Sequence, residues 1–193
     1  MNHSRIPALA IGALLALALL LTRGHHFASL DALPSASWAV FFLGGVFLRR
    51  ALPFALLVAL AAALDFAAVS WGGVTGFCTS PAYPFLLPAY GSLWLAGRWF
   101  SQRHGLSTAT LLPFAGSALV GAHLCELISS GAFYVFSGRF ADPTLVGFGE
   151  RLLRYYPKAL EAFGFWLAVA LLLAVLVAAL TGTRFASRAA RRG

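Results

Sequence analysis

The sequence predicts an all-α polytopic membrane protein, a bundle of six transmembrane helices in one domain covering 1–193. Of its 193 residues 60% are apolar and only 10% are charged, with a mean hydropathy of +0.83. The apolar residues fall into repeated runs, several near the roughly 20 residues that carry a helix across a bilayer. Arginines cluster at the ends of those runs, as they do where helices emerge from a membrane.

Six spans follow in order: 6–22, 34–48, 51–70, 82–97, 107–133 and 159–181. The first begins after Arg5, as a secretory signal would. It is long for the apolar core of a signal, and Gly24-His25-His26-Phe27 is a poor processing site after Thr22, so a transmembrane helix is expected. Ala8, Gly12 and Ala16, four residues apart, give that helix a smooth face for close packing. The second span is short, and its aromatic residues and Gly44-Gly45 are what mark it as a helix. Pro81, Pro84 and Pro88 break or kink the start of the fourth and free backbone groups that must be satisfied within the protein. The longest polar connection is expected at 137–158.

With both termini in the cytoplasm, nine of the fourteen basic residues fall on the inner side: Arg5, Arg49, Arg50, Arg98, Arg103, Arg184, Arg188, Arg191 and Arg192. Arg23, Arg139, Arg151, Arg154 and Lys158 fall outside. That bias sets the expected orientation, and the net charge of +8 is mostly a topology signal. Scattered arginines without a soluble basic domain argue against nucleic-acid binding. Two cysteines make no disulfide framework. Cys125, inside the fifth span, reads as a small buried hydrophobe.

The loops after spans one, three and five share the outer face, which gathers His25, His26, Cys78, Tyr83, Arg139, Arg151, Arg154 and Lys158 around one mouth. Asp65 lies about 9 Å below it at helical rise, with Glu126 at a similar depth and His123 one turn deeper. Ionisable groups inside a bilayer are costly enough to count as functional candidates, although hydrogen bonds that merely hold the bundle would also explain all three. Aromatic residues near the outer helix ends serve either an interfacial belt or the walls of a pocket for a large, flat, amphipathic ligand.

Cys78, in Gly76-Phe77-Cys78-Thr79-Ser80-Pro81, is the strongest soft nucleophile in any loop. Acyl transfer requires a base and an orienting partner within reach, and His26 is two spans away in sequence. Lipid attachment favours other cysteine contexts. A metal thiolate needs only one soft ligand where the metal arrives held in a macrocycle.

The size, the six spans, the small-residue face of the first helix and the aromatic outer loops resemble the substrate-binding S-components of energy-coupling-factor vitamin transporters. More narrowly, Gly76–Pro81 with His25-His26, Asp65 and Tyr83 resembles the BtuM family, solitary cobalamin-specific S-components of Gram-negative bacteria. The resemblance implies a cytoplasmic-membrane uptake protein for cobalamin in which Cys78 ligates the corrin cobalt. It further implies that Cys78 assists reductive removal of an upper ligand such as cyanide. His26, Asp65 and Tyr83 would then contact the corrin or its surroundings, and Arg151 or Arg154 the nucleotide phosphate. The chain has no phosphate-binding Walker A pattern, so energised uptake needs an external partner or is replaced by the family's solitary mode, without the coupling ATPase module. Two other readings stay open: an intramembrane enzyme built on Asp65, His123 and Glu126, and a structural membrane protein without a small-molecule site.

Overall fold

The computed structural model describes residues 5–23, 33–48, 50–71 and 80–181. These form six α-helices: α1 (Arg5–Arg23), α2 (Ser37–Phe47), α3 (Ala51–Trp71), α4 (Leu86–Arg103), α5 (Leu111–Phe136) and α6 (Leu145–Thr181). Single 3-10 turns at Tyr83–Phe85 and Thr108–Thr110 precede α4 and α5. Among the described residues there is no strand. Three helices, α3, α5 and α6, are long and apolar enough to cross a membrane, while Ala8–Arg23 of α1 and the whole of α2 are shorter apolar helices.

The core is built around α2. It spans only 11 residues, about 16 Å at helical rise, and nine of them are buried. A helix that is apolar on every side belongs inside a bundle. It packs on α1, α3, α4, α5 and α6. The closest approach is to α4, where glycines remove the side chains that would hold the two backbones apart. A Cβ on Gly45 would collide with the Trp94 carbonyl oxygen, and one on Gly97 with the Phe42 carbonyl oxygen. Phe41 and Phe42 are fully buried there, the first stacked on Tyr90 at 4.2 Å and the second edge-on to Phe114 at 5.2 Å.

The outer helices show the opposite pattern. On α3 only Leu57 and Ala61 are buried, while Leu52, Leu56, Phe66 and Trp71 are exposed. The same holds for Leu172, Leu173, Val175, Leu176 and Leu180 of α6. Apolar surface this extensive is stable only against lipid or a partner.

Two boundaries differ from those the apolar runs predict. Residues 82–85 precede α4 as a 3-10 turn closed by Tyr83 N–H to the Ser80 carbonyl at 2.9 Å and Phe85 N–H to the Ala82 carbonyl at 3.1 Å. Pro84 falls inside this turn, and Pro88 falls in the first turn of α4, where a missing N–H costs no helical bond. The connection expected at 137–158 is much shorter, because α6 starts at Leu145 and runs for 37 residues through Pro157. Its first turns are amphipathic rather than apolar and therefore do not read as a span.

Candidate functional site

The C-terminal ends of α1, α3 and α5 and the N-terminal parts of α2, α4 and α6 meet at one end of the bundle. There they enclose an open cavity of about 680 Å³. This is the end at which α1, α3 and α5 terminate at Arg23, Trp71 and Phe136. Asp65, Tyr83 and Arg151 all line it. Arg154 is exposed and is not among the lining residues. Cys78, His25 and His26 lie outside the described residues.

The helical start of α6 explains why the two arginines part company. Positions 151, 155, 159 and 162 recur at intervals of four, four and three, so Arg151, Tyr155, Ala159 and Ala162 form one stripe facing the cavity. Arg154 is on a neighbouring face. The Arg151 guanidinium lies over the rings of Phe140 at 4.7 Å, Tyr155 at 5.2 Å and Phe133 at 5.8 Å. Its Nε is buried and has no hydrogen-bond partner among the described residues. Aromatic faces hold such a cation in place without using its N–H groups, so donors remain for an anionic or carbonyl-bearing ligand.

Another part of the lining is a polar cluster organised by Arg23, a residue the sequence marks only as a flanking charge. Arg23 clasps Asp65 with two parallel bonds, Nε to Oδ1 at 2.8 Å and Nη2 to Oδ2 at 2.7 Å. Its Nη1 donates to the Tyr90 hydroxyl at 2.7 Å and to Ser37 Oγ at 3.0 Å. Tyr83 donates its hydroxyl to Asp65 Oδ2 at 2.9 Å. The pair is mostly buried, with side-chain exposures of 11% for Arg23 and 13% for Asp65. Fork-to-fork geometry is what lets a guanidinium offset the desolvation of a carboxylate. The cluster ties α1 to α3, α2 and α4, so Asp65 both lines the cavity and holds the bundle. Thr22 adds to the same joint, accepting the Ala36 N–H at 3.0 Å at the entrance to α2.

The three acids and bases of the intramembrane-enzyme reading have separate partners. Asp65 belongs to Arg23. Glu126 is buried and accepts a bond from Ser130 Oγ at 2.6 Å. His123 is exposed, with Nδ1 2.8 Å from the Leu119 carbonyl oxygen and its ring edge-on to Tyr156 at 5.1 Å. Of the three, Asp65 alone lines the cavity. Among the described residues no group of three or more His, Cys, Asp and Glu could hold a metal ion. Cys125 is a free, fully buried thiol, as its position in the apolar run suggests.

The arrangement provides an open pocket lined by the Arg23–Asp65 cluster, by the aromatic-held Arg151 of α6, and by serines 129 and 130 of α5. No family model matches the chain, and comparison with curated proteins gives no match.

Proposed function

We propose that the chain is a cobalamin-binding uptake protein of the bacterial cytoplasmic membrane, an S-component-like bundle crossing six times with both termini inside. In this reading Cys78 supplies a thiolate to the corrin cobalt. The observation that carries the proposal is the cavity itself. It opens at the end of the bundle where α3 ends at Trp71, and Ser80, two residues after Cys78 in the sequence, lines it.

The lining suits a large amphipathic guest. Pockets for small molecules combine apolar walls with a few placed polar groups, and here these are Asp65, Tyr83 and Arg151 beside Trp38, Phe133 and Tyr155. In this reading the ring occupies the cavity of about 680 Å³ and the nucleotide tail meets Arg151 on its lining. In this reading His26 is a further contact to the corrin. A thiolate is a soft donor that takes an axial position on cobalt once the nucleotide base is off the metal. Binding deprotonates the thiol, and electron donation from sulfur labilises the opposite ligand. Cyanide then leaves when an external reductant lowers Co(III). Uptake is proposed to proceed without the coupling ATPase module.

The test is an absorption spectrum of purified protein incubated with cyanocobalamin and freed of excess ligand. A bound chromophore with bands shifted from those of free cobalamin is expected, and Cys78→Ser should retain some chromophore with unshifted bands. Colourless wild-type protein would overturn the cobalamin reading. Identical shifts in wild type and Cys78→Ser would overturn thiolate ligation.

A further inference from the structure

The end of the bundle away from the cavity carries charge of one sign. Arg50 precedes α3, and Arg98, Arg103 and His104 close α4. The acids among the described residues lie elsewhere. Asp65 is six residues from the cavity end of α3 and Glu126 ten from that of α5, while Asp142, Glu150 and Glu161 sit before α6 or in its first half. The cavity end therefore mixes charges, and the far end is cationic. We propose that Trp99, Arg103 and His104 at the C-terminal end of α4 form a headgroup site for an anionic phospholipid of the surrounding bilayer, with an acyl chain lying along Leu95.

Positions 95, 99 and 103 are four apart, so Leu95, Trp99 and Arg103 share one face of α4. Leu95 is 64% exposed and Trp99 44%, and Arg103 is exposed as well. The other faces are taken up by the bundle: Trp94 meets Gly45, Gly97 meets the Phe42 carbonyl, and Phe100 stands edge-on to Phe114 at 5.2 Å. The stripe thus faces away from the protein core. Its polarity rises in the order in which a lipid presents its parts, with an aliphatic side chain at the acyl level, an indole at the interface and a guanidinium at the phosphate. The 18 residues of α4 span about 27 Å, close to the thickness of the hydrocarbon layer. Its last turn accordingly falls at headgroup level.

The Arg103 guanidinium lies over the Trp99 ring at 4.9 Å. His104 stacks on Phe100 at 5.5 Å with its ring 6.0 Å from that of Trp99, and its backbone N–H closes the helix on the Phe100 carbonyl at 2.8 Å. Aromatic contact places both groups without using their side-chain donors. Among the described residues Arg103 and Trp99 make no hydrogen bond or ion pair through their side chains. A planar guanidinium with its donors unspent matches the paired oxygens of a phosphate diester. An arginine in the last turn also offsets the helix dipole, but that role is open to any cation and calls for no indole beneath it. The exposed apolar residues that continue the stripe select a phosphate carrying acyl chains over free phosphate, which would leave them uncovered.

The site is at the end away from the cavity, so it holds whatever ligand the cavity takes. Phosphatidylglycerol titrated into the purified full chain in an uncharged detergent should raise the midpoint of thermal unfolding, while phosphatidylcholine at the same concentration and inorganic phosphate leave it in place. Arg103→Gln should raise the half-saturating phosphatidylglycerol concentration about tenfold, the effect of one hydrogen bond to a charged group. Trp99→Leu, which keeps the charge and removes the ring that positions it, should raise it too. Lys158→Gln removes an exposed cation of α6 and should keep the wild-type value. An equal response to phosphatidylcholine would overturn recognition of the anionic headgroup. A response reproduced by inorganic phosphate would overturn the lipid as partner. Equal weakening by Lys158→Gln and Arg103→Gln would overturn the site and leave only overall charge.

Discussion

Asp65 and Glu126 are both acids buried in apolar helices that run toward the same cavity, yet their surroundings differ in kind. Asp65 is gripped by a guanidinium through two bonds and receives a phenol besides. Glu126 receives a single serine hydroxyl. The first arrangement is electrically complete and therefore mechanical: it fastens α1 to α3 and sets the shape of one cavity wall. Among the described residues no Lys, Arg or His pairs with the second. An intramembrane acid is thus not one category; the number and sign of its partners separate a clasp from an acid held by one hydroxyl.

The largest expected effect comes from breaking the clasp. Asp65→Leu leaves Arg23 buried and unpaired, which should cost about 3–5 kcal/mol of stability, read as a lowered midpoint of thermal unfolding in detergent. The double variant Asp65→Leu with Arg23→Met should recover most of that loss, since an apolar pair of similar volume needs no counter-charge. A single variant as stable as wild type would erase the contrast with Glu126. Next comes Ser130→Ala, which removes the one described donor to Glu126 and should cost about 1–3 kcal/mol. Smallest is Tyr83→Phe at about 1 kcal/mol, because Asp65 keeps both Arg23 bonds. If Tyr83→Phe proved costlier than Ser130→Ala, the phenol and not the guanidinium would be the principal partner of Asp65.

The sequence made some of this visible and hid the rest for physical reasons. Long apolar runs announced α1, α3 and α5, because burial in lipid demands uninterrupted hydrophobicity. The depth of Asp65 was readable from its distance to the end of α3, six residues at Trp71. Arg23 was not singled out, since an arginine at a helix end ordinarily marks topology; the signal that could have found it is the need of Asp65 for a cation. Residues 145–158 resembled a loop because their charges and Pro157 mask an amphipathic helix. With that helix unrecognised, Arg151 and Arg154 were indistinguishable, and only the helical stripe of 151, 155, 159 and 162 separates them. Tyr156 was read only as one of many aromatic residues near the outer helix ends.

The central claim is that a thiolate from Cys78 reaches the metal of a corrin seated in the cavity, and the coordination shell of that metal tests it most directly. X-ray absorption at the cobalt edge of the purified complex should show one sulfur neighbour in wild type and none in Cys78→Ser, while Cys125→Ala keeps it. A shell of nitrogen and oxygen alone in the wild-type complex would contradict the account.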